Sequence, residues 1–288
     1  MKVCGFTFVR NAVKFDYPVI ESIKSILPIC DEFVVSVGNS DDDTLQLIES
    51  IGSPKIRITH TTWDDSLRQG GRVLAVETDK AFDAIGDEFD WCFYIQADEL
   101  VHEQYLPAIV EGMKRYKDSP EVEGLLFKYT HFYGNYQYVG NTRQWYRNEI
   151  RIIRNNKEIR SYRDAQGFRK HDQKLHVKPI EAYMYHYGWV KNPHLQSEKL
   201  RNSVQLYSKI DIEELIQKGE LFDYSTISSL GIFQGSHPDV MLDRIKSQDW
   251  DFKFDIKKKK FKLKDALLFW VEKNFGVRLF EYKNYKTL

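Results

Sequence analysis

The sequence contains little cysteine, no long apolar run and no excess of either charge. Its three cysteines, Cys4, Cys30 and Cys92, lie in or beside apolar segments and lack the spacing of metal ligands. No disulfide framework is indicated, so we expect reduced thiols and a reducing compartment. The first apolar segment, residues 3–9, ends at Arg10 and is too short for a secretory or membrane segment.

The charge balance bears on the partners that the chain can attract. Lys plus Arg and Asp plus Glu both number 42, so the formal net charge is zero. A protein without an overall field does not concentrate nucleic acid at its surface, and we expect no nucleic-acid partner. The 288 residues can bury a substantial core, as one large domain or as a domain with an extension. This composition predicts a cytoplasmic enzyme.

Strand-like and helix-like apolar patterns alternate in the N-terminal part of the chain. Asp16 is expected to cap the first helix, with Pro18 near its first position. Such alternation predicts an α/β fold with a parallel sheet wound by right-handed crossovers. The predicted strands cover residues 3–9, 33–37 and 56–60 and one from Trp91, and the predicted helices cover about 19–27, 44–51 and 72–85.

The strand from Trp91 ends in two adjacent carboxylates, within Gln96-Ala97-Asp98-Glu99. Ligands of open parallel sheets bind beyond the carboxyl ends of the strands, and paired acids there suit a hard cation that holds phosphate oxygens. The structural alternative is that Asp98 and Glu99 cap the following helix.

The order of three motifs resembles a family 2 glycosyltransferase of the GT-A fold, over roughly residues 1–190. The motifs are Phe8-Val9-Arg10-Asn11, Ser40-Asp41-Asp42-Asp43-Thr44 and Gln96-Ala97-Asp98-Glu99. The resemblance implies a Rossmann-like, mostly parallel sheet flanked by helices. It implies a catalytic domain at 1–192, with a nucleotide-sugar half at about 1–100 and an acceptor half at about 101–192. Residues 193–288 are expected to form a mainly helical extension.

In that family a divalent metal, Mn²⁺ or Mg²⁺, bridges the diphosphate of the nucleotide sugar. The resemblance makes Asp98 its ligand, while Gln96 stands where the family has another Asp. Gln96 can hydrogen-bond a ribose hydroxyl or a metal-bound water, but it removes one negative charge. Many GT-A enzymes have a late His that completes the metal shell, and His186 is the candidate here. A hydrogen-bonded core histidine is the alternative.

Further nucleotide-binding candidates follow the first three predicted strands and begin the third predicted helix. The resemblance assigns Asn11 and Arg72 to the nucleotide. Where the family commonly has an Asp that contacts the base, this chain has Gly38-Asn39, so Asn39 or Asp41 would substitute.

The base that activates the acceptor is sought in residues 164–172. An inverting transferase needs a carboxylate to take the proton of the acceptor hydroxyl. Asp164 is the first candidate, because Gly167 would permit a tight turn that presents it to a cleft, and Asp172 is the second. A surface loop with two solvated acids is the alternative.

Two other segments of the middle region leave a choice open. The arginines of the predicted half-buried strand 149–154 either approach phosphate or face solvent. An aromatic cluster either stacks on sugar rings or fills the core. Its members are His131, Phe132, Tyr133, Tyr136, Tyr138, Trp145 and Tyr146.

The C-terminal region carries the lysine run 257–260, followed by an aromatic-rich amphipathic stretch at 263–280. This combination is typical of peripheral contact with the inner face of a membrane, which would suit a lipid-linked acceptor. Packing of the stretch against the catalytic domain is the simpler account.

The sequence thus predicts a glycosyltransferase that moves a sugar from a nucleotide-sugar donor to a hydroxyl of a glycan, lipid-linked or other acceptor, with inversion. A non-catalytic sugar-nucleotide or glycan-binding homologue is one alternative, for which Gln96 is the argument. A nucleotidyltransferase of similar fold is another. Against it, the loop after the first strand lacks a Gly-, Arg- and Lys-rich phosphate cradle.

Overall fold

The computed structural model describes residues 1–67, 69–207, 221–257 and 259–288, and it confirms the predicted α/β class. The strands are β1 (Val3–Val9), β2 (Glu32–Gly38), β3 (Ile56–Thr61), β4 (Trp91–Tyr94), β5 (Glu99–Val101), β6 (Gly124–Tyr133), β7 (Asn135–Gly140), β8 (Asn148–Arg154), β9 (Ile159–Tyr162), β10 (Gly167–Lys170), β11 (Gln173–Lys174), β12 (His176–Trp189), β13 (Leu230–Ile232) and β14 (Lys286–Thr287). The α-helices are α1 (Val19–Ile26), α2 (Thr44–Glu49), α3 (Arg72–Asp83), α4 (Leu106–Tyr116), α5 (Pro193–Tyr207), α6 (Leu242–Lys246) and α7 (Leu263–Phe275).

The main sheet is parallel in its first half and mixed in its second. Strands β3, β2, β1 and β4 are neighbours in this order and run parallel, as the alternating pattern predicts. The sheet continues from β4 through β8, β6 and β7 to β13 with antiparallel pairs, and β12 runs parallel to β6. The flanking helices and the parallel first half bring the ends of β1 and β4 to one edge.

Both faces of the parallel half are apolar, because its strands are covered on both sides. In β4, Trp91 and Phe93 join a core shared with α1 and α4, whereas Cys92 and Tyr94 join a second core shared with α3. Continuous apolar strands are what a doubly covered parallel sheet requires. The three cysteines are free and buried within these cores, as predicted.

Two predicted helix caps are wrong. Asp16 has a positive φ of 46° and precedes the helix, and Pro18 occupies the N-cap of α1. Asp98 and Glu99 do not cap the next helix either, because Glu99 begins β5, which pairs with β12. Instead, His102 Nδ1 accepts a hydrogen bond from the backbone N–H of Gln104 just before α4. The two carboxylates are therefore left for other partners.

Strand β8 was predicted correctly, but it is more buried than the half-buried strand expected, and the solvent-facing alternative does not apply to Arg151. Its five central residues are all buried, and the side chain of Arg151 is 1% exposed. Arg151 can remain charged there because Glu99, also fully buried, pairs with it from β5. The alternation of polar and apolar residues in β8 therefore reflects a buried ion pair and not a solvent-exposed face.

A second, three-stranded sheet carries the predicted base loop. Strand β10 lies between β9 and β11, and Asp164 is in the turn that joins β9 to β10. Gly167 does not make this turn, because it is the first residue of β10 and has no positive φ. The left-handed conformations belong to Arg163 (φ 56°) and Ala165 (φ 61°), on either side of Asp164.

The C-terminal region contributes strands as well as helices to the fold. Strand β13 pairs with β7 and β14 pairs with β12, so the sheet continues past the predicted boundary at residue 192. Helix α5 begins the region expected to be mainly helical, while residues 208–220 and Lys258 of the lysine run lie outside the described residues. Within the described ranges, no helix combines the length and apolar character needed to span a bilayer.

Candidate active site

A pocket of about 380 Å³ opens at the carboxyl edge of the parallel strands. The ends of β1 and β4 form its floor, through Asn11 and the segment from Gln96 to Asp98. His186 of β12, Lys199 of α5 and Asp164 complete one side. The volume lies within the usual range for small-molecule sites, and the position is where an open α/β sheet binds its ligands.

Asp98 is held as a buried, ionised carboxylate. Lys199 Nζ lies 3.0 Å from its Oδ2 and donates a second hydrogen bond of 2.9 Å to the carbonyl of Gly188. Burial by itself would raise the pKa of Asp98, but the Lys199 ammonium holds the pKa well below its usual range. One oxygen of Asp98 is thus occupied by Lys199, and the other, Oδ1, lies 3.8 Å from His186 Nε2.

The hydrogen bonds of two histidines assign the protonation of His186. His131 Nε2 lies 2.8 Å from the carbonyl oxygen of Tyr146, which can only accept, so Nε2 carries a proton. Burial lowers the pKa of His131 to about 3, so its Nδ1 is bare and must accept from His186 Nδ1, 3.2 Å away. Burial also lowers the pKa of His186. Its Nε2 is therefore an unprotonated lone pair beside Asp98.

This arrangement fits a divalent cation, although no three carboxylate, histidine or cysteine side chains within the described ranges cluster as a ready-made metal site. Asp98 Oδ1 and His186 Nε2 are both acceptors and have no proton to share, so their proximity calls for a positive charge between them. One carboxylate and one neutral imidazole suit Mn²⁺, with donor oxygens and water as the remaining ligands. The second histidine then orients the first, as partners of metal-bound histidines do.

Glu99, the neighbour of Asp98, faces the opposite way and belongs to a buried network. Its two oxygens lie 2.8 Å from Arg151 Nε and Nη2, and Tyr129 donates a further 2.8 Å hydrogen bond to Oε1. The backbone N–H of Gln96 donates to Oε2 at 3.2 Å. This bidentate pair fixes the strand end that presents Asp98, so Glu99 is a supporting residue.

Gln96 has a role that a carboxylate could not fill. Its Nε2 donates hydrogen bonds to the Ala165 carbonyl at 3.3 Å and to the Tyr94 hydroxyl at 3.4 Å. The first bond ties the end of β4 to the turn that carries Asp164. An ionised Asp at position 96 has only acceptor oxygens and could not donate to the Ala165 carbonyl. This requirement for a donor accounts for the neutral amide of Gln96.

The other end of the pocket is aromatic. Phe8 and Trp63 lie with ring centroids 5.6 Å apart, and the guanidinium of Arg10 is 5.5 Å from the centroid of Trp63. Arg10 Nη1 pairs with Asp65 Oδ1 at 2.8 Å. Flat apolar faces beside donors and acceptors are suited to a heterocyclic base.

The structure brings only some of the predicted nucleotide-binding residues to the pocket. Asn11, Gln96 and Asp98 line it. Asn39 and Asp41 lie one contact away. Asn39 Oδ1 accepts a hydrogen bond from the backbone N–H of Trp63, and the backbone N–H of Asp41 donates to Asn11 Oδ1, each at 3.0 Å.

Arg72 is not brought to the pocket. It is the exposed first residue of α3 and is absent from the pocket lining. The assignments of Arg72, Asn39 and Asp41 to the nucleotide remain predictions.

The two candidate bases lie in different turns, at opposite ends of strand β10. Asp164 lines the pocket together with Gln166. Asp172 is exposed in the β10–β11 turn, with a φ of 60°, and does not line the pocket. Glu149 on β8 is buried outside the pocket lining, and burial raises its pKa to about 8. Geometry thus favours Asp164 as the base, and both assignments stay predictions.

Most of the aromatic cluster fills the core. Within it, Tyr146 alone lines the pocket, where its ring packs edge-on against His131 at 4.4 Å. Phe132 and Tyr136 belong to one apolar core with Tyr187, and Tyr133 belongs to another with Tyr224. The predicted stacking on a sugar is therefore confined to Tyr146.

Sequence reasoning missed Lys199 and Trp63 as site residues and misjudged His131. Lys199 lies in a stretch with no motif and reaches Asp98, 101 residues away, only because α5 crosses the strand ends. Trp63 follows β3 in a loop whose single aromatic residue gives no signal. His131 could have been found, because β6 and β12 place it directly beside His186.

No protein-family model matches the chain, and no curated protein matches it in sequence. Solved structures share part of its fold. S. aureus TarS 1-349 in complex with UDP is 16% identical with a TM-score of 0.41, over 74% of this chain and 68% of that chain. The same protein with UDP-GlcNAc matches over 47% of this chain and only 36% of that chain, at 19% identity and a TM-score of 0.35.

Two further solved structures share a portion as well. Glucosyl-3-phosphoglycerate synthase from Mycobacterium tuberculosis, in complex with Mn²⁺, UDP and phosphoglyceric acid, is 18% identical with a TM-score of 0.31, over 45% and 43% of the two chains. A 4-diphosphocytidyl-2C-methyl-D-erythritol synthase from Anaerococcus prevotii is 10% identical with a TM-score of 0.41, over 70% and 94%. With every TM-score below 0.5, what this chain binds has to be decided from its own residues.

Proposed function

We propose that the chain is a glycosyltransferase that moves a sugar from a nucleotide-sugar donor to an acceptor hydroxyl with inversion. The observation that carries the proposal is one pocket that joins an aromatic end, suited to a base, with a charged end, suited to a diphosphate. At the charged end, Asp98, His186 and Lys199 meet, and Asp164 lies in the same pocket. A binding protein would need the first three groups but has no use for a separate carboxylate on a turn that Gln96 holds through the Ala165 carbonyl.

The residues divide the work of the transfer between them. Asp164 takes the proton of the acceptor hydroxyl as its oxygen attacks the anomeric carbon, and the bonding pair of the donor leaves with the nucleoside diphosphate. The Lys199 ammonium stabilises the negative charge that develops on the leaving diphosphate. A divalent cation held by Asp98 and His186 would neutralise further charge on the leaving group. Trp63 and Phe8 would stack on the base.

Replacing Asp98 with asparagine tests the donor site. We expect Asp98→Asn to abolish the Mn²⁺-dependent part of the stabilisation that a nucleoside diphosphate gives, because a neutral amide ligates a hard cation poorly. At a nucleotide concentration of about 100 Kd, the total stabilisation by the ligand is about 2.7 kcal/mol, which is the upper limit of the loss. Thermal-shift assays with UDP, ADP, GDP and CDP, each with and without Mn²⁺, measure it.

Asp65→Asn provides the matched control, because Asp65 is a carboxylate of the same pocket at its aromatic end. Its Mn²⁺ dependence should equal that of the unmodified protein. An Asp98→Asn protein that still shows full metal-dependent stabilisation would remove Asp98 from the donor site. If no nucleotide stabilises the unmodified protein at all, the proposed function is wrong.

Replacing His131 tests the assignment of the bare nitrogen on His186. His131→Phe keeps a ring in place but removes the acceptor for His186 Nδ1, so His186 is free to take the other tautomer. We expect the Mn²⁺-dependent affinity for the nucleotide to fall about 10- to 100-fold, as for other partners of metal-bound histidines, with metal-free affinity unchanged. Calorimetry at fixed pH, with and without Mn²⁺, separates the two affinities.

His237→Phe is the control for the loss of a buried imidazole. His237 bonds the Tyr187 hydroxyl at 2.8 Å and the Tyr136 carbonyl at 3.1 Å, outside the pocket lining. This variant should lose stability without a change in metal dependence. Equal metal-dependent affinity in His131→Phe and the unmodified protein would contradict the orienting role of His131.

A further inference from the structure

Helix α7 turns its apolar stripe outward. Leu263, Leu267 and Trp270 follow the spacing that places side chains on one side of a helix. They are 92%, 62% and 55% exposed, and no residue of α7 is buried. On the side of α7 that faces the protein, Glu272 forms an ion pair with Arg143 at 3.2 Å. The three exposed apolar side chains therefore do not cover the catalytic domain, whereas Leu268, Phe269 and Val271 of the same helix are half-buried.

The outward stripe continues to the last residue of the helix. Phe275 is 66% exposed, and its ring packs edge-on against Trp270 with centroids 5.8 Å apart. We call Leu263, Leu267, Trp270 and Phe275 the C-terminal apolar surface. Soluble monomers rarely expose large apolar side chains in a contiguous group, so such a group marks an interaction site.

The charge beside this surface is of one sign. Six of the eight residues 257–264 are lysine, and none is acidic. The described members of this run, Lys257, Lys259, Lys260, Lys262 and Lys264, are all exposed. The acids nearest in sequence are Asp255 and Asp265, at the two ends of the run. Without these six lysines the chain has 36 Lys plus Arg against 42 Asp plus Glu, so the run is a local basic patch.

We propose that α7 and the preceding lysine run bind the surface of an anionic lipid bilayer. In this arrangement the C-terminal apolar surface enters the boundary between headgroups and acyl chains, and the lysines contact lipid phosphates. An apolar stripe with an indole, flanked by lysines, is the pattern of a helix that lies in the membrane interface. A second protein would have to supply a matching acidic rim, whereas a bilayer with acidic headgroups supplies the charge along its whole surface.

The same region is connected to the candidate active site. Arg278, just after α7, donates to the Trp145 carbonyl at 2.8 Å, and Arg147 pairs with Glu281 at 3.0 Å. Trp145 and Arg147 are the two sequence neighbours of Tyr146, which lines the pocket. If the proposed transferase function holds, these contacts connect a bilayer at α7 to the wall of the pocket at Tyr146, and the acceptor hydroxyl belongs to a lipid-linked molecule.

Cosedimentation with vesicles tests the proposal. The full chain should sediment with phosphatidylcholine vesicles that contain a quarter phosphatidylglycerol, much less with pure phosphatidylcholine vesicles, and progressively less as salt rises. The triple variant Lys259→Gln/Lys260→Gln/Lys262→Gln should bind anionic vesicles on the order of 100-fold more weakly, at about one kilocalorie per mole for each lysine. Leu267→Glu/Trp270→Glu should bind neither kind of vesicle.

Matched controls use exposed residues of other elements. Leu242→Glu places the same charge on an exposed apolar position of α6, and Lys24→Gln/Lys114→Gln/Lys246→Gln removes three exposed lysines elsewhere. Both should bind anionic vesicles as the unmodified protein does. Because every substituted side chain is exposed, all variants should keep the melting temperature of the unmodified protein.

Three results would overturn the proposal: equal binding to neutral and anionic vesicles, full binding by Leu267→Glu/Trp270→Glu, or a dimer in light scattering that this double variant dissociates. The last result would assign the surface to a second copy of the chain. Nucleotide binding by calorimetry is measured on the same variants. It should be unchanged, so a failure of lipid binding and a failure of the transferase proposal are distinguishable.

Discussion

Arg151→Met is expected to lower the free energy of unfolding by about 3–5 kcal/mol, because it leaves the fully buried carboxylate of Glu99 without its partner. Tyr129 alone cannot compensate, since it donates one hydrogen bond where the guanidinium donates two. The rings of Tyr94 and Tyr129, each 5.4 Å from the guanidinium carbon, lose a cation–π contact as well. Urea denaturation measures the change.

The exposed pair between Arg115 and Glu111 supplies the control, because both side chains are more than half exposed. Arg115→Met should change the free energy of unfolding by less than about 1 kcal/mol. Combining Arg151→Met with Glu99→Leu should recover part of the loss, since the second change removes the stranded charge. A small effect of Arg151→Met by itself, within the range of the Arg115 variant, would contradict the network.

The parallel half of the sheet was predictable because its signals are local. Each strand and helix there is a short run of apolar residues with its own period, and the rule for parallel crossovers orders them. The position of Asp98 at a strand end followed from the same reasoning. The site around it did not, because its partners approach through tertiary contacts that leave no periodic pattern.

The pairs that complete the site show this limit. Arg151 meets Glu99 across 52 residues, and Lys199 meets Asp98 across 101. The sequence shows an arginine in a strand and a lysine in a helix, and both are more often solvent-exposed. In α7 the sequence left two interpretations open. An amphipathic pattern predicts that one side of a helix is covered, but it does not say whether protein or lipid covers it.

The turn between β9 and β10 was also only half predictable. Gly167 suggested a turn, but the left-handed positions fall on Arg163 and Ala165, which are residues that seldom adopt them. Such conformations cost free energy and persist where surrounding contacts impose them. The hydrogen bond from Gln96 to the Ala165 carbonyl is one such contact, and it points to Asp164 as the reason for the turn.

Asp164→Asn should therefore lower the rate of sugar transfer by roughly two to four orders of magnitude and leave donor affinity nearly unchanged, because a general base acts on the acceptor and not on the donor. The substitution keeps the size and the turn-forming character of the side chain, so the fold should persist. Calorimetry with the nucleotide sugar gives donor affinity, and turnover at saturating donor gives the rate.

Asp172→Asn is the paired control within the same hairpin, and its rate should match that of the unmodified protein, because Asp172 is exposed and does not line the pocket. Normal turnover in Asp164→Asn with slow turnover in Asp172→Asn would transfer the role of base to Asp172. If neither substitution slows transfer, the base lies outside this hairpin, and Glu149 on the neighbouring strand is tested next. If the unmodified protein binds the donor but neither transfers nor hydrolyses it with any of a broad set of acceptors, Asp164 has no proton to take and the chain is a sugar-nucleotide-binding homologue.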